Sequence, residues 1–320
     1  MEKLPKYLNK VLSEAISLYA INPDSLKNLN GNESTVFSYK KEQKEYILKI
    51  THSSHRTLDE ILAEIDWLQY LDHCNIKVSN PIPSRNGHFV EKIPLNKAYY
   101  SIISYEKALG FLIDRSHFTP QIIKNWGSTM GRMHHATKFY KPSNTYNRKH
   151  WYENKYVNID IRALPTVKRK YEEIKERLVS LPMGSNDYGL IHSDLHHRNF
   201  LLKDQSITVI DFDDAEYSWF INDIAKTLYN ETFNFSVPSS ERDEFASYFL
   251  DHFLAGYMEE NQINPLLMQY FQDFLQLRHL FIVIRRFHTM NQSQQTKLTE
   301  KFKYDLHFDK LLTNIRINKT

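Results

Sequence analysis

The chain has 320 residues, enough for one large domain or two lobes, and carries 41 Lys and Arg against 38 Asp and Glu, a net charge of +3. That balance is too mild and too evenly spread to argue for a nucleic-acid-binding surface. The single cysteine, Cys74, excludes an internal disulfide and fits a reducing cytoplasm.

The first 21 residues lack the apolar core and small-residue cleavage site of a secretory signal. Leu8, Val11, Leu12, Ala15, Ile16 and Tyr19 instead recur at helical spacing and predict an amphipathic helix packed on the body. Residues 25–30, 34–39 and 45–51 read as three strands, joined by Gly31-Asn32-Glu33 and a Lys-rich turn at 40–44. Leu58, Ile61, Leu62, Ile65 and Leu68 predict a helix over 57–71, buried along one face. After the extended Pro81-Ile82-Pro83, strands are expected at 88–93 and 99–104, giving the order β-β-β-α-β-β.

Past Tyr105 the pattern is helical. Thr119 and Pro120 have the positions of an N-cap and a first-turn proline, with Ile122, Ile123, Trp126, Met130 and Met133 following on one face. Further helices are predicted at 167–180, 219–230, 241–258 and 265–287, interrupted only by a hairpin of two short apolar strands, 200–203 and 207–210, around Asp204. The last helix carries Asp273, Arg278, His279, Arg285 and Arg286, which a membrane span would not tolerate, so a soluble, cytoplasmic protein with no membrane partner is expected. The expected fold class is α+β and bilobal, with a small antiparallel-sheet lobe over 1–104 and a larger helical lobe over 105–320. Such an arrangement implies a cleft, crossed by a connector near 104–109, where a nucleotide would bind.

Candidate chemistry concentrates in His192-Ser193-Asp194-Leu195-His196-His197-Arg198-Asn199 and in Asp211-Phe212-Asp213. The intervening hairpin should bring Asn199 and Asp211 side by side, with oxygens to offer a hard cation such as Mg²⁺. Asp194, five residues before Asn199, suits a carboxylate that orients an acceptor hydroxyl and takes its proton. Lys49 interrupts the apolar run 46–50 and needs an anion. Glu64 is the expected partner, with Glu60 in reserve, and the pair would hold nucleotide phosphates. The turn at 31–35 has the place of a phosphate-covering loop, with Ser34 and backbone N–H groups as donors; an ordinary hairpin turn accounts for it equally well. Backbone groups near Ser104, Tyr105 and Glu106 are expected to recognise adenine. Two rival accounts are loop polars that merely cap turns, and a metal-hydrolase cluster of His192, Asp194, His196 and His197 needing more ligands from distant segments.

Lobes, order and residues together resemble the aminoglycoside phosphotransferase and choline kinase superfamily, protein-kinase-like in fold, with a catalytic stretch H-x-D-x-x-x-x-N followed by D-x-D. The specific part of the resemblance is His192, Asp194, Asn199, Asp211 and Asp213, supported by Lys49, Glu64 and residues 222–225. It implies phosphorylation of a hydroxyl by ATP, with GTP left open. It makes Asp194 the catalytic base within the His192 motif, Asn199 and Asp211 magnesium ligands, and Asp213 a ligand or its support. It also puts Lys49 on the phosphates and makes Asp223 an anchor of the catalytic loop. Ser193 stands where glycine is common. The stretch from Asp211 to Asp223 is short and no Ala-Pro-Glu occurs, which favours a small-molecule acceptor over a polypeptide. A kinase acting on protein Ser/Thr and a catalytically silent kinase-like scaffold are the alternatives. Asp213, Asp214 and Glu216, with Trp151, Tyr152, Tyr217, Trp219 and Tyr229, either support metal and core or hold a cationic amino alcohol or aminosugar. A hydroxy amino acid is a further acceptor class.

Overall fold

Residues 91–95 alternate between buried and more exposed positions, as in a strand with one covered face, whereas residues 100–105 are buried on both faces. The computed structural model describes residues 6–29, 31, 34–142, 146, 148–153, 164–235 and 237–304. The chain divides into two compact units, one of Met1–Phe111, Tyr140–Arg148 and Thr208–Asp213, the other of Leu112–Phe139, Lys149–Ile207 and Asp214–Thr320.

In the first unit, helix α1 (Lys6–Tyr19) precedes strands β1 (Lys27–Asn28), β2 (Thr35–Lys41) and β3 (Lys44–His52), helix α2 (Leu58–His73), and strands β4 (Pro81–Ile82), β5 (Glu91–Leu95) and β6 (Ala98–Glu106). The antiparallel sheet runs β1-β2-β3-β6-β4, with β5 also paired to β6. Glu42 and Gln43, at φ 49° and 65°, make the two-residue turn whose twist matches the flanking strands of β2 and β3. Leu8, Val11, Ala15 and Tyr19 of α1 pack against Phe37, Leu48, Ile50 and Ile102. Thr57 caps α2 reciprocally with Glu60. The strand expected over 25–30 contracts to β1, because Pro23, with its fixed φ and no N–H, starts a 3-10 turn over Pro23–Ser25 capped by Asn22; Asn30 lies outside the described residues.

The second unit contains helix α3 (Pro120–Thr137), helix α4 (Pro165–Val179), strand β7 (Tyr188–Ile191) and strand β8 (Phe200–Lys203), which forms a hairpin with β9 (Ser206–Val209), a strand whose last two residues are counted with the first unit. Then follow β10 (Glu216–Trp219), α5 (Phe220–Tyr229), α6 (Arg242–Glu260), α7 (Pro265–Met268), α8 (Phe271–Thr289) and α9 (Gln292–Tyr304). Asp204 and Gln205 turn the β8–β9 hairpin at positive φ. Helices α3 and α6 approach closely because a Cβ on Gly127 would collide with the Phe253 carbonyl, and one on Gly256 with the Lys124 carbonyl.

Three expectations are corrected. Strands β7 and β10 pair antiparallel, with Glu216 opposite Ile191, where an uninterrupted helical pattern was expected apart from the hairpin. At four residues each, they are too short for periodicity to reveal. Trp219 accordingly ends a strand instead of starting a helix. The predicted helix over 265–287 is two, since Asn264 caps the short α7 and a new helix begins at Phe271. Among the described residues, no helix is long and apolar enough to cross a membrane.

Candidate active site

In the first unit, β3 carries Lys49 between Val36 of β2 and Ile103 of β6. Its Nζ lies 2.6 Å from Asp213 Oδ2 and 3.5 Å from Asp211 Oδ1. Burial works against the ammonium, but Asp213, Asp211 and Glu64 outweigh it and raise the Lys49 pKa. The expected Lys49–Glu64 pair is not formed. Glu64 Oε2 instead meets Arg56 Nη1 at 2.6 Å, and Glu64 Oε1 accepts a hydrogen bond from the Tyr105 hydroxyl at 3.1 Å. Arg56 Nη1 also reaches Asp213 Oδ1 at 2.5 Å, so a guanidinium from the β3–α2 loop stands between the two carboxylates. Glu60, the reserve partner, is committed through its side chain to the α2 cap, and its carbonyl accepts from Arg56 and Arg148.

Asp211 and Asp213 join this unit because β9 is bridged to Val78, with Val209 N–H donating to Lys77 O and Ser79 N–H to Val209 O. Arg148 Nη2 donates to the carbonyls of Phe212 and Asp213 at 3.2 and 2.6 Å. Burial, with Arg56 nearby, pulls its guanidinium down to about 10. Burial opposes the Asp213 carboxylate, yet Lys49 and Arg56 prevail and hold it well below its ordinary value. Asp211, at φ 62° with 49% of its side chain exposed, is the more accessible of the two.

The other residues expected near a nucleotide have hydrogen-bond partners within the unit. Ser34 Oγ is hydrogen-bonded to Thr51 Oγ1 at 2.8 Å, while Asn32 and Glu33 of the same turn lie outside the described residues. Ser104 Oγ bonds the Tyr39 hydroxyl at 2.7 Å. Glu106 donates its N–H to Asn80 O, and its carbonyl accepts from Ser79 Oγ, so these groups are already used within the unit.

In the second unit, β7 delivers the chain into the loop at 192–199. His192 and Ser193 donate their backbone N–H groups to the two oxygens of Asp223, at 3.0 and 2.8 Å. Asp223 in turn faces His134 Nε2 at 3.1 Å, and His134 Nδ1 faces the Tyr257 hydroxyl at 2.9 Å. Burial lowers the His134 pKa, which makes the ring a neutral imidazole donating from Nε2 to Asp223 and accepting from Tyr257. His192 is fully buried, and its Nδ1 accepts from the Asp194 N–H at 3.3 Å, so it supports the loop from behind.

Asp194 Oδ1 accepts from Arg278 Nη2 at 2.6 Å and from Asn230 Nδ2 at 3.0 Å. Burial would raise its pKa, but His196 and Arg278 more than compensate and depress it. Asn199 Nδ2 donates to Asp194 O at 2.9 Å, which commits the amide nitrogen and leaves its carbonyl oxygen to offer a cation. His197 turns away to Glu231, its N–H and Nδ1 at 2.9 and 2.8 Å. The histidines of this loop therefore serve different partners instead of converging as a metal-hydrolase cluster.

Arg56, Arg148, Asn230 and Arg278 escaped the sequence reading. Arg278 had registered only as a charge within an apolar helix; that was the available signal, because such a cation needs a partner. Asn230 begins a π-helical segment, Asn230–Asn234, of a kind found mostly at functional sites. Glu216 is buried against Lys226 and Asp213 is held by Lys49 and Arg56, so neither remains to hold a cationic acceptor.

A sequence model of a phosphotransferase enzyme family matches residues 25–261. The chain is 37% identical to the amicoumacin kinase of Bacillus subtilis (strain 168) over 279 residues, 85% of this chain and 83% of that protein. Among solved structures it is similar to the amicoumacin kinase hAmiN in complex with AMP-PNP, Ca²⁺ and Ami, with a TM-score of 0.88, 32% identity, and coverage of 96% and 95% of the two chains. A microcompartment-associated aminopropanol kinase shares the fold at a TM-score of 0.72 and 20% identity, over 92% of this chain and 94% of that one. These likenesses make the fold α+β and protein-kinase-like, as expected from the sequence.

Proposed function

The chain belongs to the phosphotransferase enzyme family and is a small-molecule kinase, and from that premise we propose that it transfers the γ-phosphoryl group of ATP, with Mg²⁺, to a hydroxyl of amicoumacin or a closely similar acceptor. The observation that carries this reading is the setting of Asp194. One carboxylate oxygen is held by Arg278 and Asn230, while the other is approached only at 3.4 Å by His196 and Asn199. Oδ2 is thus the atom to receive the acceptor hydroxyl and its proton. Within the first unit Lys49 would neutralise phosphate oxygens and Asp211 would offer a carboxylate to a cation; within the second, the Asn199 carbonyl oxygen would be a cation ligand. When bound, Mg²⁺ would supply charge stabilisation at the transferring phosphoryl group. Similarity to a kinase captured with AMP-PNP and Ca²⁺ supports the nucleotide and divalent-cation assignments.

The surroundings of Asp194 favour an acceptor that presents an electron-rich oxygen near its hydroxyl, not an ammonium group. Arg278 is the cation beside Asp194, its Nη2 2.6 Å from Oδ1. ADP release from MgATP should be measured with amicoumacin beside amino alcohols, aminosugars and hydroxy amino acids. The expected result is release with amicoumacin, reduced about 10²- to 10⁴-fold in Asp194→Asn, with nucleotide affinity retained. Release with another class alone would reassign the acceptor, and MgATP binding without any turnover would favour a silent scaffold.

A further inference from the structure

Behind the Asp194 loop lies a group of charges that the phosphotransfer chemistry leaves unexplained. Lys226, Glu216 and Ser193 are 1%, 4% and 3% exposed. Lys226 Nζ stands 2.5 Å from Glu216 Oε1 and 2.5 Å from Ser193 Oγ, and Ser193 Oγ donates to the same carboxylate oxygen at 3.2 Å. The triangle closes on itself. Its members come from three elements: Glu216 opens β10 opposite Ile191 of β7, Lys226 lies on α5 one turn beyond Asp223, and Ser193 immediately precedes Asp194.

We propose that Ser193, Glu216 and Lys226 are positioning residues that fix the backbone carrying Asp194. Ser193 sits at φ 72°, a conformation that favours glycine. A serine there is strained. Its Oγ, however, is gripped by a buried ammonium that Glu216 neutralises. Asp223 already holds the His192 and Ser193 N–H groups from one side, so Lys226 adds a second grip through the side chain. Two grips leave Ser193 a single conformation, whereas glycine would sample both signs of φ. A buried ion pair seldom adds net stability over well-packed apolar residues, which points to a role in geometry. The consequence falls on rate, because small misplacement of a reacting group is costly to turnover.

This inference rests on Asp194 as the carboxylate that meets the acceptor. Steady-state kinetics with MgATP and amicoumacin should be run on wild type, Ser193→Gly, a Glu216→Leu/Lys226→Leu pair, the triple variant and Asp194→Asn. Ser193→Gly is expected to keep its melting temperature while kcat falls about 10- to 100-fold, with acceptor KM and nucleotide affinity within about twofold of wild type. The Leu pair buries no unpaired charge and should lose kcat similarly. The triple variant should lose no more than either, because all three variants break one device. Amide exchange over residues 190–199 should quicken in Ser193→Gly and elsewhere stay unchanged. Wild-type kcat in a folded Ser193→Gly, or losses that multiply in the triple variant, would overturn the device while leaving Asp194 in place. Full turnover by Asp194→Asn would overturn the underlying assignment, and the device with it.

Discussion

Arg56 is where the charges of the first unit balance. It lies between Glu64 and Asp213, is itself buried, and its guanidinium also donates to the Glu60 carbonyl. Removing it would leave the buried Glu64 carboxylate without its paired cation, while Asp213 would keep Lys49. Arg56→Met is therefore expected to destabilise the protein by about 3–5 kcal/mol, read from urea unfolding. An unchanged midpoint would show that Glu64 needs no countercharge. The sequence correctly marked Lys49 as a cation in need of an anion and Glu64 as a carboxylate on a buried helix edge. It did not reveal that a guanidinium from the preceding loop would reach Glu64 first, because burial and reach are properties of folded neighbours. The same limit hid Arg278, which lies 84 residues from the Asp194 it holds.

Helix α3 shows how an element's packing overrides its local preference. Replacing Gly127 by alanine would improve helix propensity by about 1 kcal/mol in isolation. Within the fold its Cβ would meet the Phe253 carbonyl of α6, so the helices must separate. Gly127→Ala is expected to lower stability by about 1–3 kcal/mol in thermal melts. Gly184→Ala, whose Cβ would meet nothing nearby, is the control and should be neutral or slightly stabilising. Equal behaviour of the two would refute the close-approach argument. At the start of α2, Thr57→Ala should cost about 1 kcal/mol through loss of the reciprocal cap with Glu60. Caps and long amphipathic helices were legible in advance, since their signals are local. The β7–β10 pair was not, because each strand is four residues long and its partner is distant in sequence.

For the whole molecule, acid sensitivity should begin at a histidine before any carboxylate titrates. Unfolded His134 takes a proton near its ordinary value of 6.5, whereas burial lowers its pKa in the fold. Below that pH the unfolded state binds more protons, so this contribution is complete above about 6.5 and is lost as pH falls. Asp213 and Asp223, both depressed, add a second loss as pH falls below the ordinary carboxylate value of 3.8. The unfolding free energy from urea titrations should be level near neutral pH and decline below about 6.5, with a slope of at most about 1.4 kcal/mol per pH unit from this one proton. His134→Gln, which can still donate to Asp223, should remove that first decline; an unaltered profile would place the proton elsewhere. The sequence by itself determined the longer amphipathic helices, the β2–β3 and β8–β9 hairpins, the spacing of the catalytic stretch and the likeness to a kinase family, because periodicity, caps and motifs are written within short windows. Which charges meet was decided only by the tertiary structure: Arg56 with Glu64, Arg278 with Asp194, and Lys226 with Glu216 and Ser193. Each of those contacts joins residues from separate elements, and burial selects partners by depth and reach that a linear order does not contain.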